Sequence, residues 1–80
     1  MKYRTTPEYT LDLHGTRHGN VFTKVDKFIG EHLVKGTPSV TIITGHSQEM
    51  KKQVRRVLDD YEMYAQEGVI NTGQLTVSLT

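Results

Sequence analysis

Tyr9-Thr10-Leu11-Asp12-Leu13-His14-Gly15 alternates apolar and polar side chains and then stops at a glycine. A period of two sends successive side chains to opposite faces of a strand. Leu11 and Leu13 are therefore expected to face a core, and Asp12 and His14 to share an open face. Downstream the period changes. From about Gly19 to Val34, the residues Val21, Phe22, Val25, Phe28, Ile29, His32 and Leu33 recur at spacings of three and four, with Lys24, Lys27 and Glu31 opposite. That is the stripe of an amphipathic helix, and Gly36 and Pro38 end it.

The rest of the chain repeats the alternation of strand and helix. Val40-Thr41-Ile42-Ile43-Thr44 is rich in β-branched residues and predicts a second strand. Gly45-His46-Ser47 predicts a turn, with Ser47 as the N-cap of a second helix. Met50, Val54, Val57, Leu58 and Tyr61 form the stripe of that helix. Met63 to about Glu67 reads as a short third strand, and Asn71-Thr72-Gly73 as a turn. Leu75, Val77 and Leu79 then alternate with Thr76, Ser78 and Thr80 in a last strand.

The order β-α-β-α-β-β makes the first two strands parallel, joined by a right-handed helical crossover. Parallel strands covered on both faces read as solid apolar runs, whereas the first and last strands here alternate. The expected architecture is an α/β (α+β) two-layer sandwich, a mixed four-stranded sheet with both helices on one face. Residues 1–8, which contain Pro7, are expected to be a loose lead-in, and residues 9–80 a single domain.

Eighty residues and 9.1 kDa leave room for one small domain. Ten Lys and Arg stand against nine Asp and Glu, a formal charge of +1. Bulk charge therefore gives no support for nucleic acid, and such a case rests on where the cations sit. The absence of cysteine excludes disulfides, thiolate nucleophiles and thiolate zinc sites. Small secreted domains usually need such staples, so a cytoplasmic location is expected. The stretch MKYRTTPEYT has no apolar signal region, and no apolar run approaches the ~20 residues of a membrane span.

Parallel strands linked by helices bring their C-terminal ends and the helix N-termini to one edge, where ligands of open α/β sheets collect. That edge gathers Asp12-Leu13-His14-Gly15 from one strand and Thr44-Gly45-His46-Ser47 from the other. Asp12 beside His14 has two readings. The carboxylate fixes the imidazole tautomer for general-base work on water or a ribose hydroxyl, or it bonds turn amides where the strand ends. Gly45 either lets a phosphate approach the helix start or simply makes a tight turn. Lys51, Lys52, Arg55 and Arg56 crowd the start of the second helix, and Asp59, Asp60 and Glu62 its end. The helix dipole favours the reverse by about 0.3–1 kcal/mol per charge. The inversion fits phosphate binding, or a solvated face with pairs such as Arg55 with Asp59. His18, beside Arg17, either faces the same edge or is a loop residue. His32 reads as a packed histidine. A zinc site from His14, His18 and His46 is disfavoured because no helix sets their spacing. There is no P-loop, GxGxxG or GxSxG motif.

Leu11-Asp12-Leu13-His14-Gly15, the following helix and strand, and Ile43-Thr44-Gly45-His46-Ser47 together resemble the Smr (small MutS-related) domain family. Gly73-Gln74-Leu75-Thr76-Val77 resembles that family's closing turn and strand. The likeness runs from about Tyr9 to Leu79, and the chain looks like a free-standing short version. It implies a sandwich similar to the C-terminal domain of bacterial translation initiation factor 3, with strand order 1-2-4-3 and the last strand antiparallel. It also implies nucleic-acid binding, with nicking of DNA or RNA in several members. The family's second loop is His-Gly-x-Gly or Thr-Gly-x-Gly; Thr44 and Gly45 match, and Ser47 stands where the second glycine would be.

Three functions follow as expectations. The first is an endonuclease in which His14 is general base or acid, Asp12 orients it or holds a divalent ion (Mg²⁺ or Mn²⁺), and His46 is a second proton-transfer or phosphate-contacting group. Gly15, Arg17, His18, Thr44, Gly45, Ser47, Lys51, Lys52 and Arg55 would hold the nucleic acid, with the Gly45 and Ser47 amides on a phosphate. The second is a binding module without catalysis, motivated by Ser47. The third is a protein-interaction domain using Thr10, Thr76 and Ser78 on the open sheet face. The expected partner is DNA or RNA, with no membrane, for a monomer or weak homodimer.

Overall fold

The computed structural model describes residues 9–68 and 72–79. The elements are β1 (Thr10–Asp12), α1 (His18–Lys35), β2 (Ser39–Ile43), α2 (Gln48–Asp60), β3 (Ala65–Glu67) and β4 (Gln74–Ser78). The expected lead-in of residues 1–8, Asn71 of the expected turn, and Thr80 lie outside the described residues.

The sheet order is β1-β2-β4-β3. β1 runs parallel to β2, with Thr10 opposite Thr41 and Asp12 opposite Ile43. β4 is antiparallel to both β2 and β3. The alternation then sorts each strand. Leu13, Val40, Ile42, Leu75 and Val77 are buried and join Val21, Val25 and Ile29 of α1 and Met50, Val54, Val57 and Leu58 of α2 in one core. Burying a side chain of this size contributes about 1.5–3 kcal/mol, so this single layer of contacts holds the sandwich together. Asp12, Ser39, Thr76 and Ser78 lie exposed on the other face, so the expected two-layer architecture stands.

Both helices end on a residue with positive φ. Gly36 (φ 77°) follows α1, where the Gly36 and Thr37 N–H groups return to the Leu33 and His32 carbonyls. Glu62 (φ 59°) follows α2, where the Glu62 and Met63 N–H groups return to Asp59 and Leu58. This is the Schellman closure that satisfies the last carbonyls of a helix.

Two stripe residues of α1 depart from expectation: Phe22 is 55% exposed and Leu33 is exposed as well. Both lie on the flank of the stripe rather than its centre, which Val21, Val25, Ile29 and His32 occupy. His32 is packed, as read from sequence: its Nδ1 is 2.8 Å from the Thr37 hydroxyl, and Phe28 and Tyr9 meet its ring edge-to-face. The third strand is shorter than expected, starting at Ala65 rather than Met63.

Candidate nucleic-acid interface

The two βα corners lie side by side. The Leu13 N–H donates to the Ile43 carbonyl at 2.8 Å, continuing the β1–β2 ladder up to the residues that turn. Beyond that bond each chain makes a two-residue bend, His14-Gly15 in one and Gly45-His46 in the other. Both histidines are exposed.

In the first corner the Thr16 N–H donates to the Leu13 carbonyl at 2.9 Å, and Gly15 has φ 79°. This is a type II turn, whose second central residue requires positive φ and hence glycine. His14 takes the first central position. The Asp12 carboxylate (Oδ1) accepts the His14 backbone N–H at 2.9 Å. The bond goes to the amide and not to the imidazole, so Asp12 shapes the turn that presents His14. Thr16 accepts a 3.4 Å bond from the Lys24 ammonium. Arg17, extended at φ −68° and ψ 142°, precedes α1 without a side-chain cap, and the first turn of α1 holds no acid.

The second corner is bound into the fold. The N–H groups of Thr44 and Gly45 both donate to the Gly73 carbonyl, at 2.9 and 2.8 Å. Thr44 is buried, and its hydroxyl donates to the Gly45 carbonyl at 2.9 Å, with the Gly73 carbonyl at 3.4 Å. Gly45 has φ 69°, which suits glycine. The Ser47 hydroxyl accepts the Met50 N–H at 3.1 Å, the cap expected from sequence.

These bonds correct several expected roles. The Gly45 amide already donates to Gly73 and the Thr44 hydroxyl to the Gly45 carbonyl, so neither is free for the phosphate contact expected of it. Lys51 is 2% exposed, and its ammonium donates to Glu67 on β3 at 3.0 Å. Its aliphatic stem lies at the margin of the α2 core stripe and carries the charge to a partner instead of to solvent. Arg55 also reaches Glu67, at 3.9 Å, a partner that neither reading of this helix face offered. Lys52 and Arg56 are exposed and, among the described residues, carry no ion pair. Arg17, His18 and Gly15 are exposed at the first corner. No three His, Asp or Glu side chains among the described residues gather as a metal-binding group, so His14, His18 and His46 do not form one.

The family model of the Smr domain matches residues 11–77. The chain belongs to the Smr domain family. That family is generally nucleic-acid-binding, with nicking endonuclease activity in some members. Among solved structures, this Smr domain is similar to YdaL, a stand-alone small MutS-related protein from Escherichia coli, with a TM-score of 0.79 and 20% identity. The match covers 91% of this chain and 65% of that one, so the chain spans somewhat under two thirds of that protein's length. At that identity the likeness is one of fold. Comparison with curated proteins gave no match. No helix among the described residues is long and apolar enough to cross a membrane.

Proposed function

We propose that this Smr domain binds DNA or RNA along the edge where the two corners meet and cleaves a phosphodiester there. The observation that carries the reading is the 2.8 Å bond from Leu13 to Ile43, which sets two exposed histidines on neighbouring strand tips beside a cationic helix face. In the cleavage step one imidazole, His14, takes a proton from water or a ribose 2′-hydroxyl as the oxygen attacks phosphorus. The bond to the leaving oxygen then breaks, and His46 supplies that oxygen with a proton. Such proton transfers are each worth about 10²–10⁴-fold. Asp12 is a positioning residue that holds the His14 backbone. Lys52, Arg55 and Arg56, with Arg17, offset the phosphate charge, His18 lies beside them, and cations aimed at developing charge stabilise the transition state.

The non-catalytic reading has its own support in Ser47, whose side chain caps α2 where the family loop carries a second glycine, and in the engaged Gly45 amide. Plasmid nicking and RNA cleavage by the pure protein, with and without Mg²⁺ or Mn²⁺, separate the two. Catalysis predicts product that falls by at least two orders of magnitude in His14→Ala while binding persists. Salt-sensitive binding with no product under any of these conditions would leave the binding module, and product unchanged in both His14→Ala and His46→Ala would remove the assigned roles.

A further inference from the structure

α1 and α2 are tied by the Tyr61 hydroxyl, which donates to the Asp26 carboxylate at 2.7 Å and stands 3.9 Å from where a Cβ on Gly30 would lie. One and two turns nearer the start of α1, Phe22 and His18 continue the same row at spacings of four. There the helices leave a groove of about 240 Å³ lined by His18, Phe22, Glu49, Gln53, Arg56 and Val57. Pockets that enclose a small molecule usually measure about 300–1,000 Å³. This groove is smaller and open, a fit for one flat ring.

We infer that this groove receives an unpaired nucleobase of the strand whose phosphates lie on the corner edge, an inference that rests on the nucleic-acid reading above. Phe22 offers an aromatic face that the core leaves 55% exposed. Arg56, across the groove, offers a guanidinium plane, and single-stranded bases are held by stacking on such aromatic and guanidinium faces. Val57, buried, makes an apolar floor. Gln53 and Glu49 bring polar atoms to the rim, joined by only a long 3.4 Å bond that a base edge can replace.

Position and charge choose this occupant. His18 is the first residue of α1 and Glu49 lies in the first turn of α2, so one end of the groove lies at the edge that carries His14 and His46. Arg56 also lines the adjoining depression with Gln48, Lys52, Arg55 and Asp59. A strand following those cations brings its bases to Phe22. A paired base lies inside its duplex and cannot enter. The groove therefore selects single-stranded or locally unpaired nucleic acid.

The test compares binding of a short single strand carrying one 2-aminopurine with binding of the same sequence as a duplex. The expected result is tighter binding of the single strand and quenching of the 2-aminopurine emission. Phe22→Ala should weaken single-strand binding about fivefold or more and relieve the quenching, with duplex binding unchanged; Phe22→Trp should restore both. Equal affinity of Phe22→Ala and the parent protein for the single strand would overturn the inference while leaving the nucleic-acid reading intact. No binding of either form by the parent protein would overturn that reading as well. Self-association abolished by Phe22→Ala, with strand affinity unchanged, would assign the groove to a second copy and overturn the inference.

Discussion

The two βα corners are built from the same residues in opposite order. His14-Gly15 puts the positive φ at the second central position, and Gly45-His46 puts it at the first. Their surroundings differ more. The second corner is tied by two N–H bonds and a hydroxyl to its own loop and to Gly73, and its helix is capped by Ser47, with Glu49 in the first turn. The first corner relies on one turn bond and one exposed carboxylate, and its helix starts without a side-chain cap. One corner is thus bonded into the sandwich more heavily than the other. The difference separates residues that resemble each other in sequence.

The largest effect should come from splitting the first corner itself. Leu13→Ala removes a fully buried side chain and should lower unfolding free energy by about 2–5 kcal/mol, whereas His14→Ala, exposed, should stay within about 0.5 kcal/mol. Urea unfolding of both variants measures this, and a large loss in His14→Ala would show that the imidazole is structural. The adjacent lysines of α2 should split in the same way. Lys51→Ala strips the buried partner from Glu67 and should cost about 2 kcal/mol, discounted because Glu67 is 37% exposed. Lys52→Ala should leave stability unchanged and instead reduce the salt dependence of nucleic-acid binding by roughly one phosphate. Reversed results would return Lys51 to the interface.

Capping gives a smaller contrast. Ser47→Ala should cost about 1 kcal/mol, and Arg17→Ala, which has no capping bond to lose, should cost close to nothing; equal losses in thermal melts would erase the distinction between the helix starts. The smallest effect lies away from both corners and serves as their control. The Tyr61 hydroxyl bonds Asp26, and that bond, with partial desolvation and the Asp26 and Asp60 charges, raises its pKa above the usual 10.0. A raised pKa means that the folded state favours the neutral phenol. The stabilisation is therefore complete below about pH 10 and fades as pH rises through the folded-state value. Tyr61→Phe should remove that alkaline loss and leave the His14-dependent activity untouched; an unchanged alkaline slope would mean that another group sets it.

Much of this was readable because it depends on period alone. Leu11, Asp12, Leu13 and His14 sort themselves by alternation, and Val21, Val25 and Ile29 by helical spacing, so the layers and the meeting of the corners follow from local pattern, whereas the strand order 1-2-4-3 is what the resemblance to the Smr family implies. What stayed hidden depends on partners remote in sequence. Lys51 sits at the margin of its stripe, and its partner Glu67 comes from a three-residue strand sixteen residues away. The Gly45 amide reads as free until the Gly73 carbonyl, 28 residues on, arrives to take it. Phe22 counts as core by spacing, yet it lies on the flank of its stripe and lines the groove between the two helices, 55% exposed. The Asp12 bond was one of two open readings, and only the backbone turn decided for the His14 amide.

The most direct measurement is an amide-resolved NMR titration of the labelled protein with a short oligonucleotide. Binding at the corner edge predicts shifts at His14 to Gly19 and His46 to Glu49, spreading to Lys52 and Arg56, with Ser39, Thr41, Thr76 and Ser78 on the open sheet face unmoved. Shifts confined to that sheet face, with both histidine corners silent, would contradict the account.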